Sequence, residues 1–176
     1  SVRRGVIDAT LLLAPRGTNI DATVRANGLQ VGKLRINRIA ANAKLVGGIG
    51  KVRGSVAGQR GRLFDLQFDA DVAPDEITLL AGGTLDRRPI RLSRAAHITR
   101  VDGGWQLDPV TVTYRGGSAR VGGMRGRAKT QLALSVSNMP LSVLDLSNSN
   151  LGLGGLATGD VSYSRVGAAA PTASAS

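Results

Sequence analysis

The chain has 176 residues, enough for one domain and hardly two. With 42% hydrophobic and 20% charged residues the composition is not that of a disordered segment. The lack of cysteine excludes a disulfide framework, a thiolate zinc site and a cysteine nucleophile, and fits a bacterial envelope protein that avoids mispairing. The net charge of +11, from 23 Lys+Arg against 12 Asp+Glu, raises nucleic acid and anionic lipid as partners. The arginines are spread along the chain, which favours the plainer reading of an Arg-rich solvent face.

In chain order, period-two alternation dominates, and that is a strand signal. Over 19–27, Ile20, Ala22, Val24 and Ala26 share one face, with Asp21, Thr23, Arg25 and Asn27 on the other. Over 62–72, Phe64, Leu66, Phe68 and Ala70 oppose Asp65, Gln67, Asp69 and Asp71. Over 110–115, Val110, Val112 and Tyr114 oppose Thr111, Thr113 and Arg115. Over 131–137, Leu132, Leu134 and Val136 oppose Gln131, Ala133, Ser135 and Ser137. Each predicts a half-buried strand with one wet face.

Breaks are expected at Ala14-Pro15-Arg16-Gly17, Asn27-Gly28, Gly47-Gly48, Gly82-Gly83, Asp102-Gly103-Gly104 and Gly116-Gly117, whose residues suit tight turns. Pro89 and Pro109 are expected at strand starts or edges, where a missing N–H costs least. After Pro140, the spacing of Leu141, Leu144 and Leu146 predicts a short helix near 140–147, able to plug an end or edge of the sheet. Leu151 to Gly159 then returns to β structure. The Ala/Pro/Ser/Thr-rich end, 167–176, reads as a loop or tail, leaving 1–166 as a single β segment.

With 24 glycines and 3% aromatics, the apolar content is mostly Val, Leu, Ile and Ala, which suits thin β layers better than a deep core. The fold class expected is all-β: long meandering strands, antiparallel or mixed, curling into an elongated groove or solenoid-like form. No apolar run approaches the about 20 residues that span a bilayer as a helix. The chain opens on Ser1 and is expected to be a segment of a longer parent, with any membrane anchor outside it.

Motifs for chemistry are few. The single histidine, His97, would need a positioned nucleophile and an orienting acid to act as a base; no Gly-x-Ser-x-Gly elbow supplies the first, and it reads as an ordinary strand residue. Asp65, Asp69 and Asp71 share a face, but the ligand loop of a calcium site is missing, so they read as a wet face paired with arginines of a neighbouring strand. Gly50-Lys51 is no phosphate loop, since Leu45 and Val52 stand where glycine and Ser or Thr belong. Arg115, Arg120, Arg125, Arg127 and Lys129 form an arginine-rich stretch without the base-stacking aromatics of single-strand binders, Tyr114 apart; it reads as a turn-rich arginine hairpin, whose arginines could still attract phosphate headgroups. No cofactor or metal, no nucleic-acid partner and no catalytic residue is expected.

Three phrases carry a family resemblance. Gly28-Leu29-Gln30-Val31-Gly32-Lys33-Leu34-Arg35-Ile36-Asn37-Arg38-Ile39 and Phe64 to Val72 leading into Asp75-Glu76-Ile77-Thr78-Leu79 resemble the strand-Gly-strand phrases of the TamB-like branch of AsmA-like proteins. Met139-Pro140-Leu141-Ser142-Val143-Leu144, followed by Leu151-Gly152-Leu153-Gly154-Gly155 and Leu156 to Tyr163, is similar to that family's Pro-Leu-Ser-Leu-Leu and Leu-Gly-Leu-x-Gly element. The resemblance implies a periplasmic segment of an inner-membrane-anchored bridge protein. It also implies an apolar groove that carries phospholipid toward the outer membrane and supports outer-membrane protein assembly. An outer-membrane assembly protein would be engaged through regions outside this chain.

On the residues themselves, the candidate lining for phospholipid acyl chains is Ile20, Ala22, Val24, Phe64, Leu66, Phe68, Ile77, Leu79, Val110, Val112, Leu132, Leu134 and Val136. Alternation fits equally a closed core made by the same residues, in which case the chain is a structural β-solenoid stalk, autotransporter-like and without cargo. An anionic-polymer binder using the arginines is the other class. A groove cut from a longer one is expected to expose unpaired strand edges and to self-associate through them.

Overall fold

The computed structural model describes residues 6–13, 19–101, 103–146, 154–167 and 170–176. It is all-β: thirteen strands in one sheet. They are β1 (Val6–Leu13), β2 (Ile20–Val31), β3 (Leu34–Val46), β4 (Ile49–Arg60), β5 (Arg62–Ala73), β6 (Glu76–Leu85), β7 (Arg88–Leu92), β8 (Ala96–Val101), β9 (Gly104–Tyr114), β10 (Gly117–Arg125), β11 (Lys129–Pro140), β12 (Leu156–Val166) and β13 (Thr172–Ala175). Every pairing is antiparallel, and neighbours in space follow chain order. The exception is the position between β6 and β9, shared end to end by β7 and β8. Among the described residues the only other element is a 3₁₀ helix, Leu141–Leu146, entered from Pro140 as the proline spacing predicts.

The alternating segments expected from sequence fall in β2, β5, β9 and β11, except that Arg115, expected on the wet face of the third, sits in the β9–β10 turn at φ 48°. Two expected breaks do not: Asn27-Gly28 lies within β2 and Gly82-Gly83 within β6. At Gly83 a Cβ would run into the Asp65 carbonyl and Leu66 Cα of the adjoining strand, so this glycine serves close backbone approach rather than a turn. Several real turns carry a weaker sequence signal, such as Pro74-Asp75 between β5 and β6 and Asp86-Arg87 between β6 and β7. Ala14-Pro15-Arg16-Gly17 and Leu151 to Leu153 lie outside the described residues. Pro109 falls within β9, where the register with β10 shifts, so its missing N–H interrupts no regular ladder. The segment 167–176, expected as a loop, contributes β13, a four-residue edge strand on β12.

One sheet with no second layer leaves little interior. A folded chain of 18.2 kDa is expected to expose about 8,100 Å²; this one exposes 11556 Å². Leu85 and Tyr114 are the largest fully buried side chains, at 1% exposure each. They cluster with Met139, and Phe64, Ile90, Ala119, Val136 and Val143 pack around them. The Tyr114 hydroxyl donates to the Leu85 carbonyl at 3.2 Å, so the buried ring keeps its polar handle satisfied.

The same cluster shows that the sheet curls. Arg62 at the start of β5 donates from Nε to the Ser142 carbonyl in the 3₁₀ helix at 3.0 Å. In a flat sheet β5 and β11 would stand five steps of about 4.8 Å apart, about 24 Å. The hydrogen bond therefore requires the sheet to bend over this face. The 3₁₀ helix caps the end of the sheet where the β2–β3, β4–β5, β6–β7 and β9–β10 turns lie.

The β6–β7 turn places Asp86 at φ 49° and Arg87 at φ 61°, a conformation that suits glycine. Asp86 earns its place by accepting from the Leu63 backbone N–H at 3.2 Å and by pairing with Arg62. Arg87 is exposed. Arg87→Gly is therefore expected to stabilise the chain by about 1 kcal/mol, read as a higher urea midpoint at unchanged slope.

Candidate functional site

Directly opposed residues of antiparallel strands share a sheet face, so the registers trace one surface across the molecule. One row runs Ile20, Leu45, Gly50, Val72, Ile77, Ile98 and Leu107. It continues through Gly123 and Leu132 to Tyr163. A second runs Ala22, Ala43, Val52, Ala70 and Leu79, and a third Val24, Ala41, Gly54, Phe68 and Ala81. Leu66 faces Gly83, which faces Ile90, and Phe64 faces Leu85. On the far side, Val112, Ala119 and Val136 form one row, and Val110, Val121, Leu134 and Val161 another. All thirteen residues expected as lining thus stand on one face.

They do not all meet the same surroundings. Val110 is buried at 3% exposure, whereas Phe68 is 37% exposed and Leu132 53%. Val24 and Phe68 border a hollow of about 740 Å³ spanning β2 to β7. Leu132 and Leu134 border one of about 650 Å³ over β10 to β13. Phe64 and Leu66 border a smaller one of about 280 Å³ at the turn end. The two larger hollows also draw on polar residues such as Arg53, Gln67, Ser135 and Ser162.

Both phenylalanines lie over glycines of β4. A Cβ on Gly54 would come within 2.5 Å of the Phe68 ring, and one on Gly58 within 2.8 Å of the Phe64 ring. The missing side chains leave room for the rings to approach the backbone of β4.

The opposite face is wet and charged. The three aspartates of β5 sit beside cations of β3 and β4: Lys51 to Asp71 at 2.6 Å, Arg53 to Asp69 at 2.6 Å and Arg38 to Asp65 at 3.9 Å. Only the Arg53–Asp69 pair is the expected one, an arginine of the neighbouring strand; Asp71 takes a lysine, and Arg38 reaches from β3, beyond β4. No group of His, Asp and Glu able to hold a metal occurs among the described residues. His97 lies on the same face, its Nδ1 3.3 Å from the Thr78 hydroxyl and 3.7 Å from Glu76. No helix among the described residues is long and apolar enough to cross a membrane.

Sequence reasoning missed the turn-end residues Arg60, Leu85 and Met139. Leu85 and Met139 close no alternating run, and Arg60 reads as one more surface arginine. Their signal is topological: four hairpin turns and the 3₁₀ helix gather at one end.

No family model, curated protein or solved structure matches the chain.

Because the Arg53–Asp69 pair is exposed, a double-mutant cycle with Arg53→Ala and Asp69→Ala is expected to give a coupling of about 0.2–1 kcal/mol in urea unfolding. Millimolar calcium is expected to leave the melting temperature unchanged. A rise of several degrees would assign the aspartate row to a cation instead.

Proposed function

We propose that this chain is a lipid-conducting β segment: its apolar face accepts phospholipid acyl chains, as one stretch of a longer periplasmic conduit anchored in the bacterial inner membrane. The observation that carries this reading is the continuity of the apolar face, with register rows crossing the sheet and no layer upon it among the described residues. Large exposed apolar surfaces on folded proteins mark places where another apolar body docks. An acyl chain laid on such a surface gains about 0.8 kcal/mol for each CH₂ removed from water.

The resemblance of three sequence phrases to TamB-like and AsmA-like proteins supports the same reading. It supplies the direction, toward the outer membrane, and the link to outer-membrane protein assembly. The competing stalk reading needs a closed core made by these residues. Exposed Phe68, Leu132 and Leu134 on the apolar face weigh against it.

Native mass spectrometry of the protein purified from a bacterial envelope is expected to show bound phospholipid. Phe68→Asp or Leu134→Asp is expected to remove it while far-UV circular dichroism stays that of the parent. Lipid-free protein that also takes up no fluorescent acyl probe would return the chain to the stalk class.

The sheet also ends in β1 and β13, each paired on one side only among the described residues. Open edges recruit further strands. Sedimentation velocity is expected to show reversible association that grows with concentration. A clean monomer at hundreds of micromolar would exclude edge pairing in solution.

A further inference from the structure

The apolar face is not uniform along its strands: at its turn end it becomes basic. The turns there contribute Lys33, Arg87 and Arg115, and the single acid among their residues, Asp86, is already held by Arg62 and the Leu63 N–H. Two further arginines stand on the apolar face itself. Arg60 closes β4, two residues beyond Gly58. Arg88 opens β7 directly opposite Leu85.

Arg60 lines the 280 Å³ hollow whose other walls are Leu34, Phe64, Leu66, Leu85 and Ile90. Its Nε is buried and makes no hydrogen bond. A guanidinium donor withdrawn from water and left unpaired is costly, and the cost is recovered when an anion accepts from it. The hollow thus joins a waiting cationic donor to a wall of five apolar side chains, the two halves of an amphiphile site.

Resting on the lipid-conducting reading above, we propose that this end of the face is a headgroup site for an anionic acyl lipid. Arg60 donates to the headgroup oxygens, Arg88 adds a second cation on the same face, and the chain runs from Phe64 and Leu66 toward Phe68. The site selects charge: a neutral amphiphile of equal length gains the apolar contacts but leaves the Arg60 Nε unpaired.

The test compares two probes with the same polyene chain on the full chain of this protein: cis-parinaric acid, ionised at pH 8, and its uncharged methyl ester, each followed by fluorescence. The acid is expected to bind about tenfold tighter than the ester. Arg60→Gln, and more fully the pair with Arg88→Gln, is expected to bring the acid down to the ester while the ester is unchanged. Arg60→Lys is expected to keep most of the preference. Unaltered ester binding in these variants shows that the groove still folds. Equal binding of acid and ester to the parent, or a preference that survives both glutamine changes, overturns the headgroup site and leaves the groove. Failure of both probes to bind overturns the groove reading and the site with it. Inorganic phosphate alone is expected not to displace the acid at millimolar concentration; displacement there would make this a free-anion site.

Discussion

Backbone pairing between strands adjacent in the chain is the interaction on which everything else in this molecule rests. With one sheet and a single 3₁₀ helix among the described residues, almost no stability comes from layer packed on layer, the usual way a domain buries its apolar faces. The ladder satisfies the backbone, and cross-strand contacts along one face supply most of the apolar burial. The arrangement resembles a repeat array, in which each unit leans on its neighbours only. It tolerates a surface of 11556 Å² because no distant contact is needed to hold any one strand.

The same economy leaves the apolar face without a covering layer among the described residues. A sheet that buried its apolar face in a second layer would have a core and no groove. Here the small residues decide how that face is shaped. Ala41, Gly54 and Ala81 surround Phe68 in one row, so a large ring is seated on the sheet without neighbours of equal height. The outer face is handled differently: cations of β3 and β4 meet the carboxylates of β5 and fix register without demanding burial.

The one place where the sheet behaves like an ordinary globular protein is its turn end. Leu85, Tyr114 and Met139 come from strands that a flat sheet would hold far apart, and Arg62 ties β5 to the 3₁₀ helix across the same gap. Curvature and capping are thus one event. They close one end of the apolar face, where Arg60 and Arg88 stand on it.

The sequence by itself determined the all-β class and the two-faced character of its alternating strands. Alternation in 62–72 or 131–137 assigns each side chain to a face whatever the strand pairs with, because the period of two is a property of the extended backbone. It also placed the short helix after Pro140, the residue at which β11 ends and the 3₁₀ helix begins. It did not determine that Gly83 lies inside a strand, because whether a glycine marks a turn or a close approach depends on the strand beside it. Nor did it separate an open face from a closed core, or bring Arg60 into an apolar hollow. Those depend on the order and curvature of thirteen strands, and alternation is blind to both: it records which way a side chain points, never what lies opposite.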